Sequence, residues 1–163
     1  MAVSKMGLHG KIAGMLLGID PGRGKCGWAL ATGAGTLIAS GMFDAHRAEE
    51  FLGIMVEGDG TRALSFALEG AENMPPVFTV EEYLLGDGTG KESFLSLAKR
   101  LSFRVKLVSE KGTTLRGRRL YWEHNPPVGL KRFLPEGLRI PPRDVDDFAA
   151  LAIILEFIES QRA

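Results

Sequence analysis

The sequence predicts an α/β fold in which helices flank a mixed sheet of antiparallel and parallel strands. Three strand-like runs come first, and a short Gly-Ala-Gly turn of the kind that closes a hairpin joins the second to the third. Helical and strand-like segments then alternate, and a long apolar helix ends the chain. This order places parallel strands beside an antiparallel hairpin and puts helices on the faces of the sheet.

The first half of the chain contains the antiparallel strands. Residues 15–20 form an apolar run that predicts a buried strand, and β-compatible runs follow at 26–32 and 36–43. Residues 45–71 have helical spacing in two pieces, which a Glu-Gly-Asp-Gly stretch separates.

The second half alternates between strands and helices. The predicted elements are a strand within 77–86, an amphipathic helix over 91–101, a strand over 103–110, a helix over 113–122 and a helix over 144–160. Between the last two helices lies a segment dense in proline and arginine, which predicts an irregular loop.

Length and composition limit the class of protein. A chain of 163 residues is most simply one domain over 15–163 with a short N-terminal extension over 1–14. No apolar run approaches the ~20 residues of a membrane span, and the N-terminal lysines precede no secretory h-region. The single cysteine, Cys26, cannot form an internal disulfide, so we expect a cytoplasmic protein.

The charges are segregated along the chain although the formal net charge is zero. Between residues 100 and 143 there are 11 Lys or Arg residues and three acids. Clustered basic residues neutralise phosphates, so this segment favours a nucleic acid partner. The alternative is an ordinary solvated charged surface.

Acids from three separated segments are expected to meet at one edge of the sheet. Asp20 ends the first strand, Glu110 ends a later strand, and Asp144, Asp146 and Asp147 open the last helix. In open α/β sheets the functional crevice lies beyond the carboxyl ends of the strands. Crowded carboxylates without histidine or cysteine favour Mg²⁺ or Mn²⁺, and a pair of such ions supports phosphodiester hydrolysis.

Each of these acids also has a structural explanation. Asp20 before Pro-Gly is a common turn residue, and Asp144 and Asp147 are typical of a helix N-terminus. Glu110 is compatible with an exposed strand end.

Three further acids are second-choice candidates for the site. Glu81 and Asp87 lie in and beside the predicted 77–86 strand, and Asp144 lies at the start of the last helix. Asp87 lies in GDGTGK, where it is typical of a turn. That stretch is similar to a phosphate-binding loop, but Leu85 stands where the first glycine of the motif is required.

Four segments in order resemble the YqgF (RuvX) family of RuvC-like nucleases. They are LGIDPGRGKCGWAL, LLGDGTGK, LVSEKGTTLRGRRLYW and NPPVGLKRFLPEGLRIPPRDVDDFAALAIILEFI, within Leu16 to Ile158. The resemblance implies an RNase H-like fold and a divalent-metal nuclease acting on structured nucleic acid. Its usual assignment is maturation of the 16S ribosomal RNA precursor.

The resemblance places the catalytic acids on Asp20, Glu110 and Asp146, with Asp147 as a further metal ligand or as the alternative to Asp146. Asp20 would bridge two ions, and Glu110 and Asp146 would each hold one of them. A metal-activated water would then attack the phosphodiester in line. One departure is Ser109, which stands where the family usually has an aspartate.

Basic and aromatic residues are expected to hold the nucleic acid. The residues expected to contact the backbone are Arg116, Arg118, Arg119, Lys131 and Arg132. Tyr121 or Trp122 would stack an unpaired base, with a place in the core as the stronger alternative.

Other functions use the same features. A Holliday junction resolvase acting on branched DNA needs the same acids in a dimer, and a non-catalytic RNA-binding ribosome-assembly factor is compatible with Ser109. An actin-like ATPase needs two lobes, and this chain has room for one. The residues leave open whether the substrate is RNA or DNA, whether cleavage is internal or terminal, and whether the protein is a monomer or a homodimer.

Overall fold

A computed structural model describes residues 14–163, so the expected extension over 1–14 lies outside the described residues except for Gly14. The strands are β1 (Met15–Asp20), β2 (Lys25–Ala31), β3 (Leu37–Asp44), β4 (Ala67–Glu69), β5 (Val80–Gly86) and β6 (Val105–Val108). The helices are α1 (Ala48–Glu57), α2 (Gly60–Ala63), α3 (Lys91–Arg100), α4 (Thr113–His124) and α5 (Asp146–Arg162). Short 3₁₀ turns lie at Ala45–Arg47, Leu64–Phe66, Ala71–Asn73, Gly129–Phe133 and Glu136–Leu138.

The six strands form one mixed sheet in the order β4-β3-β2-β1-β5-β6. Strands β1 to β4 pair antiparallel with one another in sequence, whereas β5 pairs parallel with β1 and β6 pairs parallel with β5. An antiparallel meander with parallel strands added on the other side of β1 is the arrangement expected of an RNase H-like fold. The structure therefore confirms the predicted fold class.

Strand β1 is buried on both faces, which explains its continuous apolar sequence. Leu17 and Ile19 belong to the core that includes residues of α1 and α3, and Leu16 belongs to the core that includes residues of α4 and α5. Gly18 faces α5 so closely that a Cβ would lie 2.4 Å from the carbonyl oxygen of Ala150. By the alternation of a strand, Asp20 also faces the α5 side.

The two cores explain which helices carry apolar residues. Under α1, Trp28 is fully buried, packs against Phe51, and donates its indole N–H to the carbonyl of Phe66 at 3.2 Å. On the other face, α5 is buried from Asp147 to Ile154, because it lies between the sheet and α4. This position accounts for a helix that is apolar nearly all round.

Three of the differences from the sequence expectation concern β4, the end of β6 and the start of α5. Within the stretch expected to be helical, Ala67–Glu69 forms the edge strand β4, which is too short to give a period-two pattern. Strand β6 ends at Val108, two residues before Glu110. Helix α5 begins at Asp146, since Asp144 makes no side-chain cap and lies in the preceding loop.

Candidate functional site

The carboxyl groups of Asp20 and Glu110 lie together at one edge of the sheet. The ladders place Ile19 beside Leu85 and Gly86 beside Val108, so β1, β5 and β6 all end at this edge. Burial and the neighbouring Glu110 carboxylate raise the pKa of Asp20 to about 8. The pair therefore holds a proton at neutral pH unless a cation neutralises it.

The backbone of Glu110 is fixed by two neighbouring turns. Its N–H donates to Asp87 Oδ1 at 3.0 Å, and its carbonyl accepts from Thr113 Oγ1 at 2.8 Å. Ser109 is exposed, and its hydroxyl accepts the N–H of Lys111 at 3.3 Å, which adds to the same turn. Asp87, a second-choice acid in the sequence, thus holds Glu110 in place through its backbone.

The Glu110 carboxylate lies against two glycines of the turn that follows β5. A Cβ at Gly86 would lie 2.2 Å from Glu110 Oε1, and a Cβ at Gly88 would lie 2.0 Å from Glu110 Oε2. Any larger residue at either position would therefore push the carboxylate away. This role of GDGTGK was not predicted from the sequence, where its one signal is a glycine at position 88 in addition to Gly86.

One oxygen of the pair has an unusual environment. Glu110 Oε1 is buried and has no hydrogen-bond partner among residues 14–163. Leaving a buried acceptor unpaired costs about 1–3 kcal/mol, and more for a charged group. A hard cation would satisfy this oxygen, so the carboxylate donors fit Mg²⁺ or Mn²⁺.

Asp146 approaches Asp20 because α5 begins directly over β2. Gly27 is the ladder partner of Asp20, and a Cβ on Gly27 would lie 2.1 Å from the carbonyl oxygen of Asp146. Burial and the charges of Asp144 and Asp147 raise the pKa of Asp146. The charge of Asp146 in turn raises the pKa of Asp20. Asp146 is therefore an electrostatic neighbour of the pair.

The three predicted acids thus converge, two in contact and the third beside them. Within the described part of the chain, no group of three His, Cys, Asp or Glu side chains is arranged so that it could hold a metal ion. The structure accordingly brings together one carboxyl pair, Asp20 and Glu110, with Asp146 next to it.

The position of Asp147 contradicts the expectation of a metal ligand there. Its side chain is 0% exposed, accepts from Ser40 Oγ at 2.7 Å, and forms an ion pair with Arg143 at 2.9 Å. Arg143 reaches both carboxylate oxygens and also bonds Glu69 at 2.9 Å. Asp147 is therefore committed to a buried network.

The second-choice acids do not join the pair. Glu81 is exposed and lies near the start of β5, where its neighbour Glu82 is the ladder partner of Leu16. That is the opposite end of β1 from Asp20, so the expectation for Glu81 is wrong. Asp144 is exposed in the loop before α5, lines the cleft beside Asp146 and raises the pKa of Asp146.

A cleft of about 950 Å³ opens beside Asp146. Its basic lining residues are Lys25, Arg47, Arg118 and Arg143. Arg47 pairs with Glu50 and Arg143 with Asp147, whereas Lys25 and Arg118 form no ion pair within residues 14–163. The cleft thus offers two cations without an ion-pair partner, together with the acids Asp44, Asp144 and Asp146 in the same lining.

The fold separates the five basic residues expected to contact a nucleic acid backbone. Only Arg118 lines the cleft. Arg116 is paired with Glu156 and Glu159 of α5, which contradicts the role expected for it. Arg119 pairs with Glu136 at 3.7 Å, and Lys131 and Arg132 are exposed on the turn at Gly129–Phe133.

Tyr121 and Trp122 are core residues and not base-stacking residues. Both are buried on α4, and the Tyr121 ring meets Phe148 of α5 edge-on at 5.6 Å between centroids. No base can reach a ring in this position, so the alternative given in the sequence analysis holds.

No family model and no curated protein matches the chain. Among solved structures, the chain is similar to RuvC of Thermus thermophilus in complex with a Holliday junction substrate, with 16% identity and a TM-score of 0.48 over 91% of this chain and 96% of that chain. It is also similar to a second Thermus thermophilus RuvC structure, with 18% identity and a TM-score of 0.42 over the same shares. Within residues 14–163 no helix has the length and apolarity to cross a membrane.

Proposed function

We propose that this protein is a metal-dependent nuclease that hydrolyses phosphodiesters of structured nucleic acid. The observation that carries the proposal is the carboxyl pair of Asp20 and Glu110, with its buried unpartnered oxygen, next to Asp146, which lines a cleft with two cations that form no ion pair within residues 14–163. Crowded carboxylates are unfavourable on their own, so their placement together at the edge of the sheet supports a bound cation.

The residues divide into three roles in this proposal. Asp20 and Glu110 would hold Mg²⁺ or Mn²⁺, and Asp146 would hold a second ion, because Asp20 interacts with both other acids. The bound ions would supply a nucleophilic water at neutral pH and neutralise developing charge. Lys25 and Arg118 would bind the phosphates that flank the scissile bond.

The substrate proposed first is structured RNA, and specifically the 16S ribosomal RNA precursor. This choice rests on the resemblance of the four sequence segments to the YqgF family. Branched DNA is the alternative substrate, and the role of a non-catalytic RNA-binding factor is the alternative to an enzyme.

A cleavage assay with matched variants tests the proposal. Labelled precursor RNA and a four-way DNA junction are each incubated with Mg²⁺, Mn²⁺ or EDTA. We expect cleavage only with the metals, and a loss of about 10²-fold or more in Asp20→Asn and Glu110→Gln. Glu81→Gln is the matched control, because Glu81 is an exposed acid at the other end of β1, and it should cleave normally.

The three functions give different outcomes. Preferred cleavage of the RNA supports the first substrate, and strand-specific cleavage of the junction supports the second. If the wild type and Asp20→Asn both bind RNA and no cleavage occurs under any condition, the result supports the RNA-binding factor and excludes the nuclease.

A further inference from the structure

The segment 126–142, between α4 and α5, presents its apolar side chains to solvent. Leu130 is 85% exposed, Ile140 81% and Phe133 73%, and Val128, Leu134 and Leu138 are exposed as well. Six large apolar residues exposed within one short segment form the kind of surface that usually marks an interaction site. The 126–142 segment therefore needs a partner to explain its composition.

The charges of the 126–142 segment indicate the chemistry of that partner. It contains Lys131, Arg132 and Arg139, and its one acid, Glu136, is already paired with Arg119. An apolar surface with a positive surplus is complementary to a polyanion that also offers flat apolar faces. A second copy of this chain would bring equal positive charges together, which disfavours self-association through this surface.

Hydrogen bonds within the 126–142 segment hold Phe133 in a defined position. The Arg139 guanidinium donates to the carbonyl of Leu134 at 2.9 Å and to that of Arg132 at 3.4 Å. These bonds fix the residues on both sides of Phe133. The Arg132 guanidinium lies over the Phe133 ring, 5.0 Å from its centre, so a cation accompanies this exposed aromatic side chain.

The 126–142 segment is continuous with the cleft that Asp146 lines. Ile140, Pro141 and Pro142 line that cleft together with Asp146 and Arg118. A strand bound along the cleft would therefore pass from Asp146 onto the segment.

We propose that the 126–142 segment binds unpaired bases, with Phe133 stacking on one nucleobase and Lys131 and Arg132 binding the adjacent phosphates. The inference rests on the proposed function, which supplies a nucleic acid partner, and adds which part of that partner is recognised. Aromatic stacking with neighbouring cations is how proteins bind single strands without reading sequence. The protein would thus prefer a loop or branch point to a continuous duplex.

Binding measurements on two ligands test this inference. Fluorescence anisotropy compares an RNA hairpin, with 2-aminopurine in its loop, against a blunt RNA duplex of equal length, in EDTA to prevent cleavage. We expect Phe133→Ala to bind the hairpin about tenfold more weakly, with loss of 2-aminopurine quenching, and to bind the duplex as the wild type does. Phe133→Tyr should restore hairpin binding.

Val77→Ala is the matched control, because Val77 is an equally exposed apolar residue outside the segment. It should change neither affinity. Equal hairpin binding by Phe133→Ala and the wild type would overturn the inference and leave the nuclease proposal standing. If the wild type binds neither RNA, the inference and the nuclease proposal are both wrong.

Two other results would also overturn the inference, because they assign the surface to a different partner. One is a wild-type dimer in sedimentation that Phe133→Ala converts to a monomer while hairpin binding is unchanged. The other is binding to anionic lipid vesicles that only this variant loses.

Discussion

Asp20 is the residue whose ionisation is most altered by folding. Its pKa rises from 3.8 to about 8, mainly because the carboxyl is buried and lies next to Glu110. A cation at this site must displace the proton, so metal binding and deprotonation of Asp20 are coupled. This coupling makes the pH response of the metal-free protein informative.

The stability of the metal-free protein should fall as the pH rises through the window between those two pKa values. There the native state holds a proton on Asp20 that the unfolded chain releases, so the free energy of unfolding decreases with pH. Asp20→Asn lacks this proton. In thermal unfolding with EDTA, its Tm should exceed that of the wild type by a margin that grows from about pH 4 to about pH 8. A constant difference in Tm would contradict the raised pKa.

Other residue-scale features show where the sequence was informative. Asp20 could be placed because a buried strand followed by Pro-Gly leaves its last side chain at the edge of the sheet. Asp146 and Asp147 are adjacent and both open a helix, so the sequence could not tell which one is exposed. Only packing against β3 shows that Asp147 turns to Ser40 and Arg143.

At the scale of elements, the turn after β5 determines where Glu110 lies. Gly86 and Gly88 have ordinary backbone angles, so alanine is conformationally allowed at both positions and would act only through contact with the Glu110 carboxylate. The turn and the acid come from different segments, and no periodicity in the sequence connects them. For this reason their relation emerged only from the fold.

Gly86→Ala should therefore disable the site without unfolding the protein. We expect cleavage to fall at least about tenfold, because displacements near 1 Å in a catalytic group have effects of this size or larger. Gly24→Ala is the control, since a Cβ there meets no atom within 4 Å, and it should keep full activity. Normal cleavage by Gly86→Ala, with an unchanged circular dichroism spectrum, would show that the position of the Glu110 carboxylate does not depend on its contact with this turn.

At the scale of the whole molecule, a buried polar network connects distant parts of the chain. Arg143 joins Asp147 of α5 to Glu69 of β4, and Asp147 also bonds Ser40 of β3. Asn125, at the end of α4, donates to the same Glu69 oxygen as Arg143. The network therefore ties both ends of the 126–142 segment to the sheet.

Arg143→Ala should destabilise the whole fold, because it leaves the fully buried Asp147 without its cation. Removing one partner of a buried ion pair typically lowers the free energy of unfolding by about 3–5 kcal/mol. Because Arg143 is partly exposed, we expect a loss of about 2–4 kcal/mol. Urea unfolding measures this change. Arg62→Ala breaks an exposed pair with Glu57 and should cost at most about 1 kcal/mol. Equal costs in the two variants would show that the network is not a stabilising element.

The whole molecule also explains why a linear count of charge overstated the basic surface. The positive segment between residues 100 and 143 folds against acids from other parts of the chain, as Arg116 does against α5. Lys25, which lies outside that segment, is one of the two available cations in the cleft. The order of strands and helices was predictable because it follows from local periodicity, whereas pairing between charges depends on the tertiary arrangement.

The three acids come from the first strand, the turn after the last strand and the final helix. The third acid, Asp146, reaches the other two only when α5 has packed across β1 and β2, through the contacts at Gly18 and Gly27. Such contacts between the two ends of a chain form late, because closing the long loop between them is entropically costly. If the proposed nuclease function holds, a partly folded or nascent chain would therefore not cleave nucleic acid, because its three acids come together only in the last stage of folding.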